Sequence, residues 1–88
     1  MLIKFHTSID KDLDKILQPH VKQAIQKMME RAELAKNLNE IPNCKRHTAY
    51  KNAYRIRIGD FRIGLFLDDN VIRFARVAHK RDIYRIFP

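Results

Sequence analysis

The sequence predicts an α+β fold in which two N-terminal antiparallel helices pack on one face of a small, mainly antiparallel sheet. Apolar residues recur at the spacing of an α-helix up to about residue 36, whereas from residue 54 they alternate with polar residues as in a β-strand. A chain of 88 residues buries roughly 60% of its unfolded surface, which leaves nothing for a second core. Residues 1–88 are therefore expected to form one domain.

The N-terminal half predicts a short strand followed by two helices. Residues 2–6 form the strand, and Thr7 and Ser8 are candidates for the N-cap of the first helix. Pro19 ends that helix and suits the first position of the second helix, which continues to about residue 36. The apolar stripe of the first helix consists of Ile9, Leu13, Ile16 and Leu17, and the charged residues expected to point outward are Lys11, Asp12, Asp14 and Lys15.

The C-terminal half predicts a meander of three strands, over residues 54–58, 61–67 and 71–77. Gly59 and Asp60 form the first hairpin turn, because glycine accepts the positive φ that tight turns require. An acidic break at residues 68–70 forms the second turn. Residues 37–52 show no sustained period and are expected to be a loop.

The charge of the chain favours a polyanionic partner. The net charge is +8 and the isoelectric point is near 10.0. Residues 1–44 carry seven Lys and Arg against six Asp and Glu, whereas residues 45–88 carry eleven against four. The basic surface is therefore expected on the sheet and its flanks.

Cysteine and histidine usage predicts no disulfide, no metal site and no cofactor. Cys44 is the single cysteine, and the four histidines are scattered along the chain. No apolar stretch resembles a signal peptide or approaches the roughly 20 residues that span a bilayer. We therefore expect a cytoplasmic protein that does not associate with membranes.

Three arginines are expected to converge on the polar face of the sheet. Arg55 and Arg57 share one face of a strand, and Arg62 follows the hairpin turn on the partner strand. Arginine suits phosphate because its planar guanidinium offers a fork of donors. Solvation of each arginine on an outer face is the simpler interpretation. The proximity of three arginines to His79, Lys80 and Arg81 favours a phosphate site.

Two further residues are candidates for chemistry on RNA. His79 is the natural residue for proton transfer, although a lone histidine is more often structural or merely exposed. Tyr84 offers a ring that can stack on an unpaired base and a hydroxyl that can reach the phosphate. The alternative for Tyr84 is packing beside Ile83 and Phe87.

The ordered series Y-R-I-R-I-G-D-F-R-I, an acidic turn and R-V-A-H-K-R-D-I-Y-R-I-F-P resembles the C-terminal half of the RelE/ParE superfamily of toxins from type II toxin–antitoxin operons. The resemblance is closest to the RelE branch. It implies a RelE-like fold and a toxin that cleaves messenger RNA in the ribosomal A site without metal, leaving a 2′,3′-cyclic phosphate. It also implies as partners the ribosome, messenger RNA and a RelB-like antitoxin, with a possible toxin–antitoxin heterotetramer.

The resemblance places the active face on the first meander strand, the residue after the hairpin and the C-terminal motif. The expected catalytic residues are Arg57, Arg62, His79, Arg81 and Tyr84, and the expected RNA-binding residues are Lys45, Arg46, Lys51, Arg55 and Lys80. Well-known members carry lysines where Arg55 and Arg57 stand. Because arginine cannot give up its proton as lysine can, the base assignment passes to His79.

Two alternatives to a messenger RNA endonuclease follow from the same residues. The first is a gyrase-inhibiting ParE-like toxin, which binds a protein and has no active site. The second is a non-catalytic basic relative that binds nucleic acid. The sequence His79 to Tyr84 favours the endonuclease.

Overall fold

The computed structural model describes all 88 residues, which form five strands and three helices. In chain order these are β1 (Leu2–Phe5), α1 (Ser8–Asp14), α2 (Pro19–Leu34), β2 (Cys44–Arg46), β3 (Ala53–Ile58), β4 (Phe61–Asp68), β5 (Val71–His79) and α3 (Ile83–Ile86). A single 3₁₀ turn, Leu38–Glu40, lies between α2 and β2. None of the helices is both long and apolar enough to cross a membrane.

The strands form one mixed sheet in the order β1-β5-β4-β3-β2. The predicted meander is confirmed, because β3, β4 and β5 pair antiparallel in succession. Gly59 turns the first hairpin with a φ of 56°, and Asp69 turns the second with a φ of 53°. The first strand adds the one parallel pairing, in which β1 lies beside β5.

Helices α1 and α2 cover one face of the sheet and bury the main core against it. Ile25 and Ala32 of α2 are fully buried with Ile56, Ile63 and Phe74 of the sheet. Pro19 occupies the first turn of α2, as predicted. The helical period of the N-terminal half and the strand period of the C-terminal half thus describe the two layers of one core.

Three details of α1 differ from the sequence prediction. The Thr7 side chain makes no capping hydrogen bond, and the Ser8 hydroxyl instead donates to the carbonyl of Ala75 at 2.6 Å. Leu17 is 87% exposed because α1 ends at Asp14, before the apolar stripe reaches it. Asp12 does not point outward; it is 4% exposed and forms an ion pair with Arg76.

The predicted loop 37–52 contains a strand that the sequence did not indicate. Cys44–Arg46 forms β2 and pairs antiparallel with β3, so that Cys44 lies opposite Ile56. Burial raises the pKa of the Cys44 thiol to about 11. A strand of three residues at the sheet edge is too short for an alternating pattern to be visible in the sequence.

The second face of the sheet is covered only in part, by the C-terminal segment. Ile83 and Phe87 are buried there against Ala53 and Ala75. The remaining part of this face carries the side chains of Arg55, Arg57 and Arg62, and it forms the candidate site.

Candidate phosphate-binding site

A pocket of about 310 Å³ opens on the sheet face opposite α1 and α2. It is lined by four cationic side chains, one amide and one aromatic ring, namely Lys45, Arg55, Arg57, Arg62, Asn43 and Tyr84. The predicted convergence of Arg55, Arg57 and Arg62 is thus present in the structure. Lys45, which was expected to bind RNA, joins them.

The pairing register of three strands brings these cations together. Lys45 of β2 lies opposite Arg55 of β3, and Arg57 of β3 lies opposite Arg62 of β4. Residues that face each other across an antiparallel pair project from the same side of the sheet. Like charges placed in this way repel each other, so the cluster favours an anion that neutralises it.

None of the four cations in the pocket forms a salt bridge, although four other basic residues do. Arg73, Arg76, Lys80 and Arg85 pair with Asp68, Asp12, Asp60 and Asp82 respectively. These pairs affect the proton affinities of their members: hydrogen bonds from Arg73 and Asn52 hold the pKa of Asp68 below its usual value, and the hydrogen bond to Asp12 raises the pKa of Arg76. The carboxylates of the chain are therefore placed outside the pocket.

Two of the arginines are held by neutral oxygen acceptors. The Nη1 of Arg62 donates to the carbonyls of Gly59 and Phe61 at 2.8 and 2.9 Å, which fastens the guanidinium to the hairpin turn. The Nη2 of Arg57 donates to the Oδ1 of Asn43 at 3.3 Å. Both guanidiniums keep further N–H donors for a ligand, because arginine has five donors in all.

Arg55 carries a donor that has no partner in the protein. Its Nη1 is buried and makes no hydrogen bond. The guanidinium carbon lies 4.5 Å from the centroid of the Tyr84 ring, close enough for a cation–π contact. The rest of the guanidinium lines the pocket, so Arg55 adds its charge to the cluster.

The structure does not place His79 with the arginines. Arg62 pairs with Ala78, so the next residue, His79, projects from the opposite face, where it pairs with Phe61. Its ring contacts the Phe61 ring edge-on at a centroid distance of 5.6 Å. Its Nδ1 accepts from the backbone N and the Nε of Arg81 at 3.1 and 3.3 Å. His79 and Arg81 therefore do not line the pocket with the arginines.

The other basic residues predicted to bind RNA lie outside the pocket. Arg46 pairs with Tyr54 and so projects from the face opposite Lys45, while Lys51 is exposed in the turn before β3. The Nζ of Lys80 lies 3.5 Å from the Oδ1 of Asp60. These residues are exposed on the surface of the protein and do not line the pocket.

Asn43 is a pocket residue that sequence reasoning missed. Its φ of 61° is left-handed, a conformation that asparagine adopts more readily than most residues. Its backbone carbonyl accepts from the N–H of Arg57 at 3.1 Å, and its side chain accepts from the same arginine. The Pro-Asn pair at residues 42 and 43 is a turn signal that could have indicated it.

No group of three or more His, Cys, Asp or Glu side chains lies where it could hold a metal ion. The chemistry available in the pocket is that of its own residues. Guanidiniums can bind a phosphate and stabilise charge on it, and the exposed ring of Tyr84 can stack on a base.

The fold and the pocket define a class of small α+β proteins that present a basic face on an antiparallel meander. The family model of the ParE toxin of type II toxin–antitoxin systems, parDE, matches residues 3–84. Toxin RelE3 of Methanocaldococcus jannaschii is 35% identical over 89 residues, and the match covers 100% of both chains. The chain therefore belongs to the RelE/ParE superfamily of type II toxin–antitoxin toxins, and it is RelE-like.

Solved structures agree with this assignment. The RelB–RelE antitoxin–toxin complex from Methanococcus jannaschii superposes with a TM-score of 0.83 at 33% identity, covering 97% of this chain and 99% of that chain. The RelBE2 complex from Mycobacterium tuberculosis has a TM-score of 0.69 at 21% identity, with 89% and 95% covered. At that identity the second likeness supports the fold alone.

Proposed function

We propose that this toxin is a metal-independent endoribonuclease that cleaves messenger RNA in the ribosomal A site and so inhibits translation. The observation that carries the proposal is the pocket in which Lys45, Arg55, Arg57 and Arg62 lack acidic partners beside the exposed ring of Tyr84. Such a pocket fits one phosphate and an adjacent unpaired base.

The proposed reaction is attack by the 2′-oxygen of the RNA on the neighbouring phosphorus. The P–O bond to the 5′-oxygen breaks, and the products are a 2′,3′-cyclic phosphate and a 5′-hydroxyl. Negative charge builds up on the non-bridging oxygens in the transition state. Preorganised guanidiniums stabilise this charge, and we assign that role to Arg62 and Arg57, with Arg55 adding its charge from the same pocket.

Proton transfer requires a group that can give up and regain a proton. The arginines cannot, whereas a lysine ammonium and a tyrosine hydroxyl can. Lys45 and Tyr84 are the two such groups that line the pocket. We therefore propose that Lys45 and Tyr84 move the protons. His79 stays the prediction from sequence, and its position on the opposite face makes it the informative comparison.

An antitoxin and the ribosome complete the proposal. The structural relative from Methanococcus jannaschii is a complex of a toxin with its antitoxin. We propose that a RelB-like antitoxin binds this chain and covers its basic face, with a heterotetramer as a possible assembly. Arg46, Lys51, Lys80 and Arg81 are placed to contact ribosomal or messenger RNA from the rim, and the site of action would be the cytoplasm.

Single-turnover cleavage on ribosomes programmed with a defined message tests the proposal. Arg62→Ala should slow cleavage on the order of 10² to 10³-fold, the effect of removing one preorganised charge stabiliser. Arg31→Ala is the matched control, because Arg31 is exposed on α2 away from the pocket. This variant should cleave the message at the parent rate. Parent cleavage by Arg62→Ala with normal ribosome binding would place the phosphate site elsewhere.

The same assay decides which residue moves the proton. Lys45→Ala and Tyr84→Phe should each slow cleavage by roughly 10² to 10⁴-fold, the range for general acids and bases, while His79→Ala should remain near the parent rate. The opposite pattern would return the role to His79. A 2′,3′-cyclic phosphate on the upstream fragment reports attack by the 2′-oxygen. Accumulation of linear DNA by gyrase without message cleavage would instead favour the ParE-like alternative.

A further inference from the structure

Tyr84 is held over the pocket by residues that lie on either side of it in the chain. Its own side chain is 68% exposed, whereas Ile83 and Phe87 are 0% and 3% exposed. The helix α3 has four residues, and a helix this short has no stability of its own in water. The position of Tyr84 is therefore set by the packing of Ile83 and Phe87 on the sheet.

Phe87 packs into a space that only glycine leaves open. A Cβ on Gly64 would lie 2.4 Å from the Cγ of Phe87 and 2.5 and 2.7 Å from its two Cδ atoms. Gly64 is inside β4, and the one glycine with a positive φ is Gly59. The absence of a side chain at Gly64 thus serves close packing rather than backbone conformation.

The contact between Gly64 and Phe87 lies beside Arg55. Gly64 is the register partner of Arg55 in the β3–β4 pair, so the Phe87 ring packs next to the point where the Arg55 side chain leaves the sheet. The Tyr84 ring then lies 4.5 Å from the guanidinium of Arg55, whose Nη1 is buried. Docking of the C-terminal segment therefore places Tyr84 over the guanidinium of Arg55, which is partly buried.

We propose that Gly64 and Phe87 are positioning residues of the cleavage site, which act through Tyr84 and Arg55 without touching RNA. The proposal rests on the proposed endoribonuclease function. Partial burial of the Arg55 guanidinium strengthens its interaction with a phosphate, because charge interactions grow as the local dielectric constant falls. Seating Phe87 on Gly64 fixes the ring of Tyr84 at the distance that the reaction needs.

The first test is a comparison of cleavage rates. Gly64→Ala forces the Phe87 ring to move, so single-turnover cleavage on programmed ribosomes should fall about 10²-fold, the effect of a displacement near one ångström. Ribosome binding should be unchanged. Tyr84→Ala should slow cleavage at least as much. Gly64→Ala combined with Tyr84→Ala should slow it by less than the product of the two single effects, because part of the effect of Gly64→Ala acts through Tyr84. Full additivity in that double variant would overturn the proposal.

The second test needs no RNA. In the free protein the ring of Tyr84 should shift the NMR signal of the Arg55 Nε–H, and Tyr84→Ala should abolish that shift. Gly64→Ala and Phe87→Ala should abolish it too, whereas Phe87→Leu should keep part of it. The double variant Gly64→Ala with Phe87→Leu adds volume at residue 64 and removes it at residue 87. It should regain part of the Arg55 shift and of the cleavage rate that Gly64→Ala loses. A parent-like Arg55 signal in Gly64→Ala would overturn the proposal.

The two tests separate the positioning from the reaction. If the Arg55 signal responds as expected but the parent chain cuts no message, the endoribonuclease proposal fails and the packing contact stands. If Gly64→Ala does not fold, Phe87→Ala and Phe87→Leu decide, since both only remove volume. Cleavage and an Arg55 signal that are normal in Phe87→Ala would overturn the positioning role.

Discussion

Asp12 shows how one side chain can join two elements that are far apart in the sequence. Its Oδ2 accepts from the Nε of Arg76 at 2.8 Å and from the backbone N–H of Val77 at 2.9 Å, and its Oδ1 accepts from the Nη2 of Arg76 at 3.0 Å. The carboxylate is 4% exposed. It therefore satisfies three donors on β5 and fixes α1 to the sheet.

Asp12→Ala should destabilise the protein by about 3 kcal/mol, because it leaves a half-buried guanidinium and a buried N–H without partners. Urea unfolding followed by far-UV circular dichroism measures the change. Asp14→Ala is the matched control on the same helix: Asp14 is exposed and should change the free energy of unfolding by no more than about 0.5 kcal/mol. Equal effects of the two substitutions would contradict the assigned role of Asp12.

Individual residues of the site could be predicted from the sequence where the periodicity of one strand, or a tight hairpin turn as at Arg62, decides their face. The common face of Arg55 and Arg57 follows from the period of two within β3. The face of His79 relative to Arg62 does not, since it depends on the register that pairs Arg62 with Ala78. The inward orientation of Asp12 likewise depends on Arg76, which is distant in the chain.

At the scale of elements, β2 closes one edge of the sheet and brings Lys45 into the pocket. The preceding residue of β2, Cys44, packs against the main core on the opposite face of the sheet. Burial raises the pKa of this thiol to about 11, because the thiolate would lose its hydration. The thiol should therefore remain neutral and unreactive as long as β2 is paired.

Cys44 alkylation measures that pairing. With the pKa raised from 9.0 to about 11, the thiolate fraction at pH 8 should be about 10²-fold lower in the native protein than in urea, and iodoacetamide should react correspondingly slowly. The unfolded chain releases the thiol proton at a lower pH than the native protein does. The free energy of unfolding should therefore fall as the pH rises above 9.0. Equal alkylation rates in the native and unfolded protein would show that β2 is frayed.

The sequence predicted β1 and α1 from short apolar patterns and the remaining long elements from a sustained period. Helix α2 and strands β3, β4 and β5 each repeat their pattern long enough to be recognised. The sequence could predict neither the parallel pairing of β1 nor the existence of β2. Both strands have at most four residues, and their place in the sheet depends on the neighbouring strand. Tertiary contacts, rather than local preference, create both edges of the sheet.

At the scale of the whole molecule, the sheet separates two different surfaces. One face is buried beneath α1 and α2 and provides most of the core. The other carries the pocket cations, and the C-terminal segment covers the rest of it. The net charge of +8 thus lies mainly on the accessible sheet face and its flanks, where it attracts polyanions.

This distribution predicts that the antitoxin binds in a salt-dependent way. A segment with an acidic portion over the pocket and apolar anchors elsewhere should lose affinity as ionic strength rises, because the screening length falls to about 10 Å at 0.1 M and about 3 Å at 1 M. Calorimetry with a RelB-like antitoxin that binds this chain measures the affinity at each ionic strength. Arg57→Glu should weaken binding and flatten its salt dependence, and Arg31→Glu, on exposed α2, should change neither. An affinity that is indifferent to salt in the parent chain would mean that the apolar anchors dominate and that the basic face is free for RNA even in the complex.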